Sequence, residues 1–322
     1  MTAGTPVLAA VDWGTSRFRL WLLDGEGRAL AQSQGPEGLD AGRNLGFEAV
    51  LRDHLARLSV PEALPVVICG MAGSHESWVE APYVQLPASL DAIAGTVVAV
   101  PGTALDVRIV PGLAKRSEAA PDVMRGEETQ LIALTAEEPA GRTRVCLPGT
   151  HSKWVELRDR RVEDFTSYLT GELYALLGAH SILRHSLAGA ADAQVDPEDP
   201  VFLDALHRAF AGPELLLAGL FSIRAAGLLG GLPGGLAGAE AAAARLSGLL
   251  IGTEVAVALR DEAAPAAVTL VASGGMARLY GAALQAAGAV VTTVDADRAV
   301  CAGLMAIAFG GGRAGGLARR QA

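Results

Sequence analysis

Apolar residues in the first third of the chain fall into short runs broken by tight turns. Val7 to Val11 is a continuous apolar run, Asp12-Trp13-Gly14-Thr15-Ser16 interrupts it, and Arg17 to Asp24 follows with apolar positions that lack helical spacing. That pattern predicts strand, turn, strand. Asp24-Gly25-Glu26-Gly27 suits a second hairpin turn, with Arg28 to Ser33 as a third strand. The period then changes: Phe47, Val50, Leu51, Leu55 and Leu58 recur at helical intervals, and Pro65 to Cys69 reads as a buried strand ending at Gly70. From Gly70 to Pro87 the text is loop-like, with Ser74, His75, Glu76, Trp78, Tyr83 and Gln85, and loops after strands often line sites. Val97 to Val100 and Val107 to Val110 predict short strands, and Glu127, Glu128, Gln130, Leu131 and Leu134 predict a helix over Gly126 to Thr135.

The second half opens as the first did. Arg144 onward is a strand, Pro148-Gly149-Thr150-His151-Ser152 a turn, and Lys153 to Leu157 a second strand, so an architecture has been duplicated although its residues differ. Helices are expected over Gly171 to Leu177, Pro200 to Ala211 and Ala241 to Leu259, with Gly230 to Gly238 as a connector. A strand at Val268 to Ala272 runs through Ser273-Gly274-Gly275 into a helix from Met276 to Ala287. Val290 to Val294 is a further strand, Ala299 to Phe309 a closing helix, and the tail after Gly310 is expected to fray.

A length of 322 residues favours two domains. With 51% apolar and 19% charged residues there is ample material for a core. The formal charge of -9 argues against a binder of nucleic-acid backbones, which needs a basic face. Cys69, Cys146 and Cys301 are far apart in apolar runs, without metal-ligand spacing or a CxxC, and no charged leader precedes an apolar stretch. A reducing compartment, the cytoplasm, is expected. The charge-free runs Ala225 to Ala239 and Ala263 to Ala277 fall short of the ~20 residues of a membrane helix, so no span is expected.

Three turns have the form of phosphate cradles, in which backbone N–H groups and hydroxyls converge on an anion. They are Asp12 to Ser16, with Gly14, Thr15 and Ser16; Gly149 to Lys153, with Thr150 and Ser152; and Ser273 to Met276, with Gly274 and Gly275. Any one alone is also an ordinary hairpin or strand-to-helix junction. Their order resembles that of the actin-like, sugar-kinase and heat-shock ATPase superfamily. More narrowly, VDWGTSRFRLWL, VMRGEETQLI, LPGTHSKWV, the TGEL of Thr170 to Leu173 and SGLLIGTEV resemble the 2-dehydro-3-deoxygalactonokinase family.

The resemblance implies an α/β, two-lobed actin-like (ribonuclease H-like) fold, each lobe a mixed sheet with helices and ATP in the interlobe cleft. The lobes would be 1–138 plus 299–322, and 139–298, closing about hinges at Ala136 to Gly141 and Asp297 to Cys301. It implies ATP-dependent phosphorylation of 2-dehydro-3-deoxy-D-galactonate at its C6 hydroxyl, a step of galactonate catabolism. A kinase for another sugar or sugar acid, or a polyphosphate or nucleotide phosphohydrolase, is the alternative. Asp12 would orient Mg2+, or merely close an Asx-turn. Thr15 and Ser16 would donate to phosphates, and Arg19, or Arg17 before it, would meet phosphate or the substrate carboxylate unless it is simply solvated. Glu127, and after it Glu128, is the candidate base, unless both only complement the helix dipole. Leu147 stands where actins and heat-shock ATPases carry a second aspartate, which shifts weight from hydrolysis toward transfer to an alcohol. Thr150, Ser152 and Lys153 would serve the transferring phosphoryl group, Gly149, Gly274, Gly275 and Met276 the nucleotide, and His151 a secondary contact. Ser74, His75, Trp78 and Glu172 are the expected sugar-acid contacts, Trp78 being equally suited to core packing. Apolar helices in the second half would permit a homodimer.

Overall fold

The computed structural model describes residues 4–60, 64–134, 141–190, 194–230, 238–262 and 265–310. The chain divides into two compact units. The first comprises the chain to Arg142, Val155–Phe165 and the segment from Asp295; the second comprises Thr143–Trp154 and Thr166–Val294. The first unit thus takes in a short stretch, Val155–Phe165, that the sequence reading assigned to the second half.

In the first unit the apolar runs become β1 (Leu8–Trp13), β2 (Phe18–Leu23) and β3 (Ala29–Gly35), joined by antiparallel pairing. α1 (Leu39–Leu45) and α2 (Phe47–Arg57) then cross to β4 (Val66–Gly70), which lies parallel to β1. The loop beyond Gly70 contains a single 3-10 turn, Met71–Gly73, and ends in β5 (Val84–Gln85), β6 (Ala88–Ser89) and α3 (Leu90–Ala94). β7 (Val98–Ala99) and β8 (Val107–Ile109) complete a mixed six-stranded sheet in the order β3-β2-β1-β4-β8-β7. β9 (Leu113–Lys115) and β10 (Asp122–Met124) make a small sheet with β5, and α4 (Glu127–Leu134) follows. Trp13, Phe18, Phe47, Leu51 and Ile68 fill the core between sheet and helices. Burying side chains of this size removes roughly 1.5–3 kcal/mol of apolar exposure each.

The second unit opens on β11 (Arg142–Leu147) and the start of β12 (Ser152–Arg158); the rest of β12 and most of β13 (Arg161–Tyr168) fall in the stretch Val155–Phe165 counted with the first unit. After α5 (Thr170–His180), α6 (Pro200–Ala211), α7 (Leu216–Leu228) and α8 (Ala239–Ala258) come β14 (Ala267–Val271), α9 (Gly274–Ala286) and β15 (Val290–Val294). The strand order of this six-stranded sheet is β15-β14-β11-β12-β13-β6, with β14 parallel to both of its neighbours. Phe202, Trp154, Tyr280 and Leu270 anchor a separate core. α8 is long and apolar enough by length and composition to cross a bilayer. Here it is packed inside the unit and carries Arg245 and Glu254 in buried positions.

α10 (Ala296–Phe309) returns the chain to the first unit, capped by Asp295, whose carboxylate accepts the Arg298 N–H at 3.0 Å. It packs on α4 so closely that a Cβ on Gly303 would run into the Thr129 carbonyl. Asp297 to Cys301, expected as a hinge, is continuous helix here. The other expected hinge lies outside the described residues except for Gly141, as does the tail beyond Gly310.

Candidate active site

In the first unit the chemistry gathers at the C-terminal ends of β1 and β4. Asp12 sits opposite Arg19 on β2 and Cys69 on β4. The Arg19 guanidinium is shared: Nη2 donates to Asp12 and Nη1 to Asp297 in the first turn of α10. Burial works against its charge, but Asp12, then Asp297, more than offset that and hold its pKa above the ordinary value. The turn between β1 and β2 is closed by the Gly14 N–H donating to the Arg17 carbonyl at 2.8 Å, and it leaves Thr15 and Ser16 exposed.

α4 starts next to this group, following Gly126, whose φ of +113° is a backbone conformation that favours glycine and whose neighbour across the turn is Gly70. The two glutamates that begin the helix diverge. Glu128 is fully buried and its carboxylate folds back on the Gly126 N–H at 2.7 Å. Burial first, then the charge of Glu127, pushes its pKa up to about 8. Glu127 is half-buried and accepts the Arg125 N–H at 3.2 Å. The Cys69 thiol, enclosed by the same groups, is driven up by burial and then by the charges of Asp12 and Glu128.

The loop after β4 distributes the expected sugar contacts unevenly. Trp78 stacks on Phe47, with ring centroids 6.2 Å apart and an interplanar angle of 13°, and packs against the core. His75 is exposed, and its carbonyl accepts from Arg43. Ser74 Oγ is buried without a hydrogen-bond partner. Arg125, not singled out from the sequence, lies over the Tyr83 ring at 4.4 Å and donates Nη2 to the Ala81 carbonyl at 2.8 Å. Its Nε and Nη1 are buried without partners. A cation placed directly before Gly126-Glu127-Glu128 was the available signal for it.

In the second unit the turn between β11 and β12 abuts the start of α5. The Glu172 N–H donates to the Thr150 carbonyl at 2.9 Å, and a Cβ on Gly171 would collide with the Gly149 carbonyl, so only glycine lets the helix start this close. His151 Nε2 and Glu172 Oε2 meet at 2.5 Å. Thr150 and His151 are exposed, but Ser152 and Lys153 point inward. Ser152 Oγ bonds Tyr280 Oη at 3.0 Å, and Lys153 Nζ donates to the His151 carbonyl at 2.9 Å. Ser152 is therefore committed to the interior, a correction to its expected contact with phosphate. Its partner Tyr280 donates to Glu254 at 2.7 Å, and Trp154 and Thr170 donate to the same buried carboxylate.

Beside that turn opens a cavity of about 560 Å³, lined by Gly149, Thr150, Gly171, Gly275 and Met276 together with helical side chains including Tyr174 and Arg278. Gly274 begins α9 at φ +59° with nothing near its Cα side, leaving the helix N-terminus open. A volume of this order suits a nucleoside-sized ligand. The sequence pattern identified the glycine turns. It missed Tyr174 and Arg278, which come from faces of separate helices.

A family model described as 2-keto-3-deoxy-galactonokinase matches residues 12–307. The Rhizobium meliloti (strain 1021) protein named "Probable 2-dehydro-3-deoxygalactonokinase DgoK1" is 48% identical over 300 residues, covering 93% of this chain and 96% of that protein. The Escherichia coli (strain K12) 2-dehydro-3-deoxygalactonokinase is 37% identical with the same coverage. The crystal structure of "a putative 2-dehydro-3-deoxygalactonokinase protein from Sinorhizobium meliloti" superposes with a TM-score of 0.86 at 47% identity, covering 94% of this chain and 98% of that one.

Proposed function

The chain belongs to the 2-keto-3-deoxy-galactonokinase family, and on that premise we propose that it moves the γ-phosphoryl group of ATP to the C6 hydroxyl of 2-dehydro-3-deoxy-D-galactonate. It is a kinase that uses ATP and acts on a sugar acid. The observation that carries the finer reading is the divergence of the two adjacent glutamates. Glu128 is buried, its carboxyl pushed up to about 8 by burial and folded back on the Gly126 N–H, whereas Glu127 is only half-buried at the start of α4. Glu127 is thus the base: it accepts the C6 hydroxyl proton as that oxygen bonds to the γ-phosphorus, and the bond from γ-phosphorus to the bridging oxygen breaks, releasing ADP with the electron pair.

Each unit contributes its own groups. In the first, Thr15 and Ser16 donate to phosphate oxygens from the exposed turn. Arg19 serves as a brace for Asp12 rather than a free cation, since two carboxylates already hold it. Mg2+ would be held by Asp12 with phosphate oxygens and water; among the described residues no three potential ligands cluster, which suits a cation that retains its water. Bound there, it neutralises phosphate charge. The unspent donors of Arg125 and Ser74 support the loop after β4 as the seat of the sugar acid's carboxylate. In the second unit the 560 Å³ cavity receives the nucleoside, the Gly149-Thr150 turn and the α9 N-terminus meet its phosphates, and Ser152 and Lys153 brace that turn from within. The three buried free thiols support a reducing, cytoplasmic setting.

Product analysis tests the regiochemistry. Phosphorus NMR of a completed reaction with 2-dehydro-3-deoxygalactonate is expected to give one phosphate ester coupled to the C6 protons. Inorganic phosphate as the sole product, or an ester at another carbon, contradicts the proposal.

A further inference from the structure

A second cavity in the same unit, of about 290 Å³, lies away from the nucleoside cavity and shares none of its lining residues. It is bounded by the short 3-10 turn that carries His185 and Ser186, by Arg224 on α7, and by the head of α8 from Gly238 to Arg245. No acidic residue lines it. Among the described residues its arginines make no ion pair. Arg245 is only 9% exposed, its Nε is buried without a partner, and neither it nor Arg224 makes a hydrogen bond or ion pair among the described residues. Ser186 Oγ is likewise buried and unpartnered.

An arginine taken this far out of water normally brings its own carboxylate, because an unpaired buried charge costs several kcal/mol. The acid whose charge acts on Arg245 is Asp204, and its carboxylate already accepts from Arg208 at 2.7 Å. Glu240, on the first turn of α8, is exposed and does not line the cavity. The sequence leading into α8, Gly231 to Ala237, contains no acid either. Arg245 also borders a neighbouring cavity of about 440 Å³, but the other cation there is Arg208, which Asp204 satisfies, and the rest of that lining is largely apolar.

We propose that the 290 Å³ cavity is a binding site for a small phosphate-bearing anion, distinct from the nucleotide site. Arg245 and Arg224 would supply charge, Ser186 a hydroxyl donor, and the N–H groups at the head of α8 the remaining donors. The volume lies at the lower edge of ligand cavities, about 300 Å³ and upward, and so suits free phosphate or a short phosphate monoester rather than a nucleotide.

The test is equilibrium dialysis of the full chain against radiolabelled inorganic phosphate, and in parallel glycerol 3-phosphate, with the nucleotide site saturated by a non-hydrolysable ATP analogue and Mg2+. Saturable binding of about one anion per chain is expected, with whichever probe binds tighter distinguishing free phosphate from an ester. Arg245→Gln and Arg224→Gln should each weaken it about tenfold or more, the loss expected for a charge-assisted hydrogen bond. Both should retain phosphorylation of the sugar acid, so the outcome is independent of the kinase reading. Phosphate should raise the wild-type Tm and leave that of Arg245→Gln unmoved. Should Arg245→Gln not fold, the half-buried Arg224→Gln carries the test. No saturable binding once the nucleotide site is filled, or binding unchanged in the arginine variants, overturns the proposal.

Discussion

Glu127 and Glu128 differ by one position and share the first turn of α4, yet one points into the core and the other does not. For Glu128 the folded pKa of about 8 lies above the ordinary 4.5, so the native state holds its proton more tightly than the unfolded chain does. Stability must therefore fall as pH rises from about 4.5 to about 8, and the full penalty, on the order of a few kcal/mol, is present above that range. Glu128→Gln, which removes the titration and keeps an acceptor for the Gly126 N–H, should gain stability relative to wild type between pH 5 and pH 8.5 in urea titrations, each pH value being roughly placed to bracket the shift. A constant difference across that range would contradict the assignment. Arg125 acts at the same scale. If its unspent donors receive the sugar acid, Arg125→Lys, which loses the planar fork, should raise KM for the acid about tenfold and leave KM for ATP alone. Equal changes in both would point to misfolding of the loop instead.

Between elements, α10 meets α4 at Gly303 so tightly that a Cβ there would overlap the Thr129 carbonyl. Gly303→Val should cost roughly 2–3 kcal/mol, read as a lower urea midpoint at unchanged slope, because the Thr129 backbone cannot retreat. Much at this level was legible in the sequence. The two hairpins, the strand ending at Gly70, α6 and β15 follow from apolar runs bounded by Gly or Pro, where local pattern and tertiary burial agree. α1 escaped because LDAGRNL has a central glycine and only a weak apolar stripe, and β13 because Glu163 and Asp164 break the alternation of RVEDFTSY. Within the site, glycine turns announce themselves by spacing. Whether a hydroxyl beside such a turn faces out or in does not, since Ser152 is turned inward by Tyr280, more than a hundred residues further on. Arg125 was passed over for a related reason: its environment is assembled from Ala81 and Tyr83, on the far side of the loop after β4.

For the molecule as a whole, Leu217, Phe221 and Leu228 leave an apolar face of α7 exposed, which supports self-association. Sedimentation velocity should give a dimer that Phe221→Glu converts to monomer; a wild-type monomer at all concentrations would remove that expectation. The central claim is that a family kinase uses Glu127 to activate the hydroxyl of a sugar acid. It is tested most directly by coupled ADP release with MgATP, run with 2-dehydro-3-deoxygalactonate, with its gluconate epimer and with no acceptor. Release should depend on the galactonate acceptor and fall by about 10²–10⁴ in Glu127→Gln at little change in KM. Equal release without acceptor, or a Glu127→Gln enzyme as fast as wild type, would contradict it.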